Sequence, residues 1–177
     1  MRDLFTIGYE GTSQAAFLAA LLDVDIEILI DIRETPLSRK PGFSKKSLGA
    51  GVSSVGIEYL HIRELGTPRD IRYRRKIDHD QAAFTQSYLE HLAKQDDAII
   101  TLVMKALERR CCLLCFEADA AICHRRMVGE RAFELSEGKL QIVDLEVQLL
   151  SHAKSSASFV PMGEPIPEHG SGPGAAL

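Results

Sequence analysis

The sequence predicts a single α/β domain of three layers with a mainly parallel sheet. Short apolar runs of strand length alternate with segments whose apolar residues recur at helical spacing. Most of those runs end abruptly in charged or titratable side chains, as strands do where they leave a buried parallel sheet. With 177 residues, 45% hydrophobic and 26% charged, the chain fits one globular domain with a sizeable core.

Residues 4–7 form a short strand that ends at Gly8-Tyr9-Glu10-Gly11. Thr12 or Ser13 is placed to cap a helix whose Phe17, Leu18, Leu21 and Leu22 share one face. Residues 26–32 are a second buried strand, ending in Asp31-Ile32-Arg33, and this strand-helix-strand rhythm points to parallel pairing. The connection over residues 34–56 contains two prolines and cannot begin as helix. Within it, Ser44 is placed to cap a short helix through Leu48 and Val52. Residues 56–61 read as a third strand, less buried because they alternate. An arginine-rich segment follows Pro68, with Arg72, Arg74, Arg75 and Lys76, and then two helices near 81–94 and 98–110.

Residues 112–116 are an apolar run buried on both faces, which drops into Glu117 and Asp119. The helix after it carries Ala121, Val128, Ala132 and Leu135 as its packing stripe. His124 and Arg125, one turn before Val128, fall near its inner line at the N-terminal end. Residues 141–145 are the last strand. From 151 the chain turns to Ser, Pro, Gly and Ala, so 1–150 is expected to fold and 151–177 to be a disordered tail.

Net charge is −4, which argues against a uniformly basic nucleic-acid binder. The charge is uneven, however: residues 33–76 hold eleven Lys/Arg and four Asp/Glu, leaving ten and twenty-one for the rest. One basic surface facing an anionic partner is the expectation, against the plainer reading of a solvated charged loop. No stretch approaches the ~20 apolar residues that span a bilayer, and the N-terminus has no signal-peptide pattern. Four cysteines outside any spaced framework fit a reducing cytoplasm. Gly8 and Gly11 lack the third glycine and spacing of a dinucleotide fingerprint, and no internal repeat is present.

If the first four strands are parallel, their ends share one rim, where ligands bind in open α/β sheets. That rim collects Tyr9, Glu10, Arg33, Ser38, Arg39, His61, Arg63, Glu117, Cys123, His124 and Arg125. These residues also carry a resemblance. Thr6-Ile7-Gly8-Tyr9-Glu10-Gly11, Asp31-Ile32-Arg33, Ser38-Arg39, Gly56-Ile57-Glu58-Tyr59, Cys115-Phe116-Glu117-Ala118-Asp119 and Cys123-His124-Arg125 together resemble the domain of unknown function 488 family, in order from about Thr6 to Leu145. The resemblance implies a compact Rossmann-like α/β domain with a polar site built from these motifs, and no particular reaction or cofactor.

The leading functional expectation is a phosphate-bearing, nucleotide-like small molecule at the carboxyl rim. Arg33, Arg39 and Arg125 would hold the anion near a helix N-terminus, with Tyr9, Glu10 and Ser38 as further contacts. The plainer reading pairs Arg33 and Arg39 with Asp31 or Glu117. Any chemistry would fall to Glu117, Cys123 and His124, as hydrolysis or group transfer. Cys123 in a first helical turn is a candidate thiolate nucleophile, although Gly129 stands where a cysteine phosphatase loop has arginine. Cys115 is expected in the core. A zinc site from Cys115, Cys123, His124 and His61 is disfavoured: consecutive helical residues project about 100° apart, and a second Cys-x-x-Cys is missing, so no metal is expected. The alternative of another class is a nucleic-acid-binding module that uses the basic 33–76 region.

Overall fold

The structure is a computed structural model that describes residues 1–147; the segment 151–177, expected to be a disordered tail, lies outside the described residues. Five strands, β1 (Arg2–Gly8), β2 (Ile28–Asp31), β3 (Glu58–His61), β4 (Cys111–Cys115) and β5 (Leu140–Leu145), make one sheet. Their order is β3-β2-β4-β1-β5, and every neighbouring pair is parallel. The expected parallel sheet is thus present, and it is parallel throughout. Two-sided burial follows from the alternation of side chains along each strand. In β4, Cys111 and Leu113 face one layer while Cys112 and Leu114 face the other.

Helices α1 (Gln14–Leu22) and α2 (Lys45–Ser54) cover one face. Phe17 and Leu21 of α1 and Leu48 and Val52 of α2 join Phe5, Ile7 and Leu29 there. The other face gathers α3 (Arg69–Asp78), α4 (Gln81–Leu92), α5 (Asp96–Glu108) and α6 (His124–Leu135) around Leu4, Ile28, Ile30 and Leu113. The result is the three-layer domain the sequence predicts. Edge strand β3 is only partly buried, also as its alternation implies.

Two local readings change. The arginine-rich segment after Pro68 is a helix, α3; it buries only Ile71, so it has no apolar stripe to reveal it. Ala121 is exposed in a short 3-10 turn (Ala120–Ile122), and α6 starts only at His124, with Cys123 as its N-cap. Val128 and Ala132 do pack on the sheet.

The topology marks the rim around β4. After β4 the chain passes through α6 on one face, whereas both its neighbours, β1 and β2, lead to α1 and α2 on the other. Neighbouring strands whose connections depart to opposite faces leave a crevice between their carboxyl ends. Among the described residues, no helix is long and apolar enough to cross a membrane.

Candidate functional site

Backbone contacts continue past the ends of β1 and β4 and join their loops. The Tyr9 N–H donates to the Cys115 carbonyl at 3.4 Å and the Glu10 N–H to that of Phe116 at 2.9 Å. Gly8 permits the approach, because a Cβ there would lie 1.8 Å from the Glu117 carbonyl oxygen. The loop between β4 and α6 is then fastened from below by Arg125, which is only 1% exposed. Its Nε donates to Thr6 Oγ1 at 3.0 Å, Nη2 to the Ala118 carbonyl at 2.8 Å, and Nη1 to the Glu117 carbonyl. Glu10 fastens the same loop by accepting from the Ala118 N–H at 3.1 Å.

This loop brings four donor side chains together. The Glu117 Oε2 lies 3.1 Å from the sulfurs of both Cys115 and Cys123, whose thiols donate to it. His124 Nδ1 lies 3.5 Å from Cys115 Sγ and 4.0 Å from Cys123 Sγ. Cys115, expected as core, turns its sulfur into this group. The anticipated divergence of Cys123 from His124 does not arise, because Cys123 is in the extended N-cap conformation (φ −101°, ψ 143°) while His124 opens the helix. The side chain of the cap therefore folds back over the helix end instead of continuing the helical rotation.

The electrostatics of the group follow from its burial. Desolvation raises the Cys123 thiol pKa well above its ordinary value, with the neighbouring Cys115 adding to the rise. That is opposite to the lowering a helix N-terminus would otherwise give a nucleophile. Burial alone would raise the Glu117 pKa too, but its own backbone N–H, both thiols and His124 outweigh it and hold the carboxyl below its usual range. For His124 burial opposes the charged form, while Cys123 and Glu117 more than compensate and raise it.

Above the group opens a cleft of about 750 Å³ lined by segments from 9 to 124. Cys115, Glu117 and His124 lie at its floor, and Arg33, Ser38, Arg39 and Lys40 along one wall. Arg72, Arg75, Lys76 and His79 of α3 and its cap supply the opposite wall. Arg33 is committed to the scaffold: it binds the buried Asp31 through Nε at 2.8 Å and Nη2 at 2.5 Å, and donates to Tyr9 Oη and the Phe43 carbonyl. Burial disfavours its charge, but the bonds and charge of Asp31 overcome that and raise its pKa. Arg72 pairs with Glu34 at 3.1 Å and Arg75 with the Glu117 Oε1 at 3.3 Å. Lys40 Nζ donates to the Tyr9 carbonyl at 2.8 Å, and its N–H to Ser38 Oγ at 3.2 Å. The side chains of Arg39 and Lys76 have no hydrogen-bond partner among the described residues.

Of the residues singled out in the sequence, Tyr9, Arg33, Ser38, Arg39, Glu117 and His124 line the cleft. Cys123 sits behind the floor, 1% exposed. Arg125 and Glu10 are outside the lining; the expected anion contact of Arg125 gives way to a structural clamp because all its nitrogens are taken. His61 instead bonds the Arg33 carbonyl through Nε2 at 2.8 Å and meets Lys45 through Nδ1 at 3.0 Å. The plainer pairing of Arg33 with Asp31 is the one realised. Missed was the α3 wall, although residues 72, 75, 76 and 79 stand at offsets of three, four and seven, a helical stripe made of basic residues.

Fold and site together define an α/β protein with a polar, cation-lined cleft at a topological switch point. The domain of unknown function DUF488 matches residues 13–132, and the chain belongs to that family. No curated protein and no solved structure matches the chain significantly.

Proposed function

We propose that the protein binds a phosphate-bearing small molecule of nucleotide-like kind in the cleft between β4 and α3. The observation that carries this reading is charge: six Lys/Arg line the cleft against two glutamates. Arg39 and Lys76, which have no internal partner, are the groups whose donors remain for a ligand, and arginine's fork suits a phosphate. The cleft volume of about 750 Å³ matches that of small-molecule sites. Phe116, 45% exposed and edge-on to Tyr9, offers an apolar surface beside the charges for a ring such as a base. Any chemistry on the ligand falls to the group of Glu117, Cys123 and His124 that borders the floor. Four unpaired, buried cysteines support a reducing cytoplasm as its setting.

Calorimetric titration with pyrophosphate and with a nucleoside diphosphate tests the reading. Saturable binding is expected, weakened about tenfold or more by Arg39→Ala, since a hydrogen bond to a charged group contributes about 1.5–3 kcal/mol. No heat with either ligand, or equal affinity in the variant, overturns it. The nucleic-acid alternative rests on the same basic residues. It predicts instead a steep fall of RNA or DNA affinity with salt, because each neutralised phosphate releases counterions. Two of the α3 arginines are already paired within the chain, with Glu34 and Glu117, which favours the small ligand.

A further inference from the structure

We infer that Cys115, Cys123, His124 and Glu117 form a binding site for one divalent metal ion, zinc by the chemistry of the donors. The four donor atoms all lie within 4.8 Å of one another. A tetrahedral ion with bonds of about 2.3 Å to sulfur and about 2.0–2.1 Å to nitrogen or oxygen separates its donors by about 3.3–3.8 Å. The separations here, 3.1 Å for each sulfur to Glu117 Oε2 and 3.5 and 4.0 Å for the sulfurs to His124 Nδ1, bracket that range. Two sulfurs, an imidazole nitrogen and one carboxylate oxygen favour zinc over the oxygen-seeking magnesium and calcium.

The surroundings orient these atoms as a metal site requires. His124 Nε2 sits 3.3 Å from the Ile32 carbonyl. A proton on Nε2 donated there leaves the Nδ1 lone pair directed at the sulfurs, the outer hydrogen bond that metal-binding histidines usually make. The Tyr88 ring packs edge-on to the imidazole at 5.1 Å, and the Arg125 N–H points to Cys123 Sγ at 3.5 Å. All four ligands come from one short stretch, the end of β4 and the cap of α6, which Arg125 and Gly8 fix onto β1. Binding forms two metal–sulfur bonds and releases the two thiol protons to solvent. Glu117 is the most exposed of the four and shares its second oxygen with Arg75. It is therefore the one that an oxygen of a cleft ligand can displace.

The test uses full-length, tag-free protein stripped with a chelator under reducing conditions. Elemental analysis after zinc loading and desalting is expected to give about one zinc per chain. Cobalt titration is expected to give thiolate-to-cobalt charge-transfer absorption in the near ultraviolet with tetrahedral bands in the visible. Cys123→Ser should weaken zinc by more than about 100-fold, since even supporting residues contribute 10–100-fold, while Cys111→Ser, whose thiol lies outside the group, should change nothing. A folded wild-type protein that takes up no zinc and shows no charge-transfer band overturns the site, as does an unchanged band in Cys123→Ser. The wild-type measurement decides the matter even where a cysteine variant does not fold. The inference stands apart from the anion reading: zinc retained without pyrophosphate binding supports it, and pyrophosphate binding without zinc uptake refutes it.

Discussion

At the scale of single residues, Arg125 shows how a charged side chain serves the site without touching the cleft. It is buried with its guanidinium spread over Thr6 and two loop carbonyls, so its removal leaves acceptors without donors and a void. Arg125→Ala is expected to lower stability by about 3–5 kcal/mol, given about 1–3 kcal/mol for each orphaned buried acceptor and the lost volume. Arg125→Lys should recover only part of this, because an ammonium cannot reproduce the fork. Urea unfolding midpoints of the three proteins measure both. From sequence, Arg125 and Arg39 look alike, two cations beside apolar segments. What separates them is direction: Arg125 lies on the sheet side of α6 and Arg39 on an exposed loop. Periodicity places a residue on a line of a helix but says nothing of which carbonyls await its side chain. Cys123 teaches the same lesson through its backbone angles, since a position read as first turn is a cap.

At the scale of elements, capping gives a sharp comparison between two serines that look equivalent in sequence. Ser13 accepts from the Ala16 N–H at 3.2 Å at the start of α1, whereas Ser44 makes no side-chain bond at the start of α2. Ser13→Ala is expected to cost about 1 kcal/mol, and Ser44→Ala to stay within about 0.5 kcal/mol, both read from thermal or denaturant unfolding. The strands were legible because burial on both faces demands uninterrupted apolar runs, and the partial exposure of β3 was legible from its alternation. Helix α3 was not, since a helix that contributes Ile71 alone to the core shows no apolar period. Its basic side chains carry the period instead, and they form a wall of the cleft. The rim was therefore half visible: the strand ends declared themselves, but the helix facing them did not.

At the scale of the whole molecule, the buried acidic hydrogens set how the fold responds to alkali. Burial raises the pKa of the Cys111 thiol to about 12 and that of Cys112 well above its ordinary 9.0. Burial likewise raises the phenols of Tyr59 and Tyr88, ordinarily 10.0, with Asp31 reinforcing the rise at Tyr59. These groups keep their protons when folded and lose them when unfolded. Their contribution is thus fully present below the unfolded values and is lost as pH rises from about 9 toward the raised ones. The thiols and phenols make denaturation midpoints fall steadily beyond pH 9, and Tyr59→Phe should flatten the part above pH 10; an unchanged slope would refute the role of Tyr59.

The strand order β3-β2-β4-β1-β5 carries a consequence for biosynthesis. Strand β1 pairs only with β4 and β5, so a nascent chain that has emerged as far as residue 110 holds β1 without a neighbour. The stretch that then arrives closes the gap at the centre and brings Cys115, Glu117, Cys123 and His124 with it. Closure of the sheet's centre and gathering of these four side chains thus fall to one and the same stretch of chain.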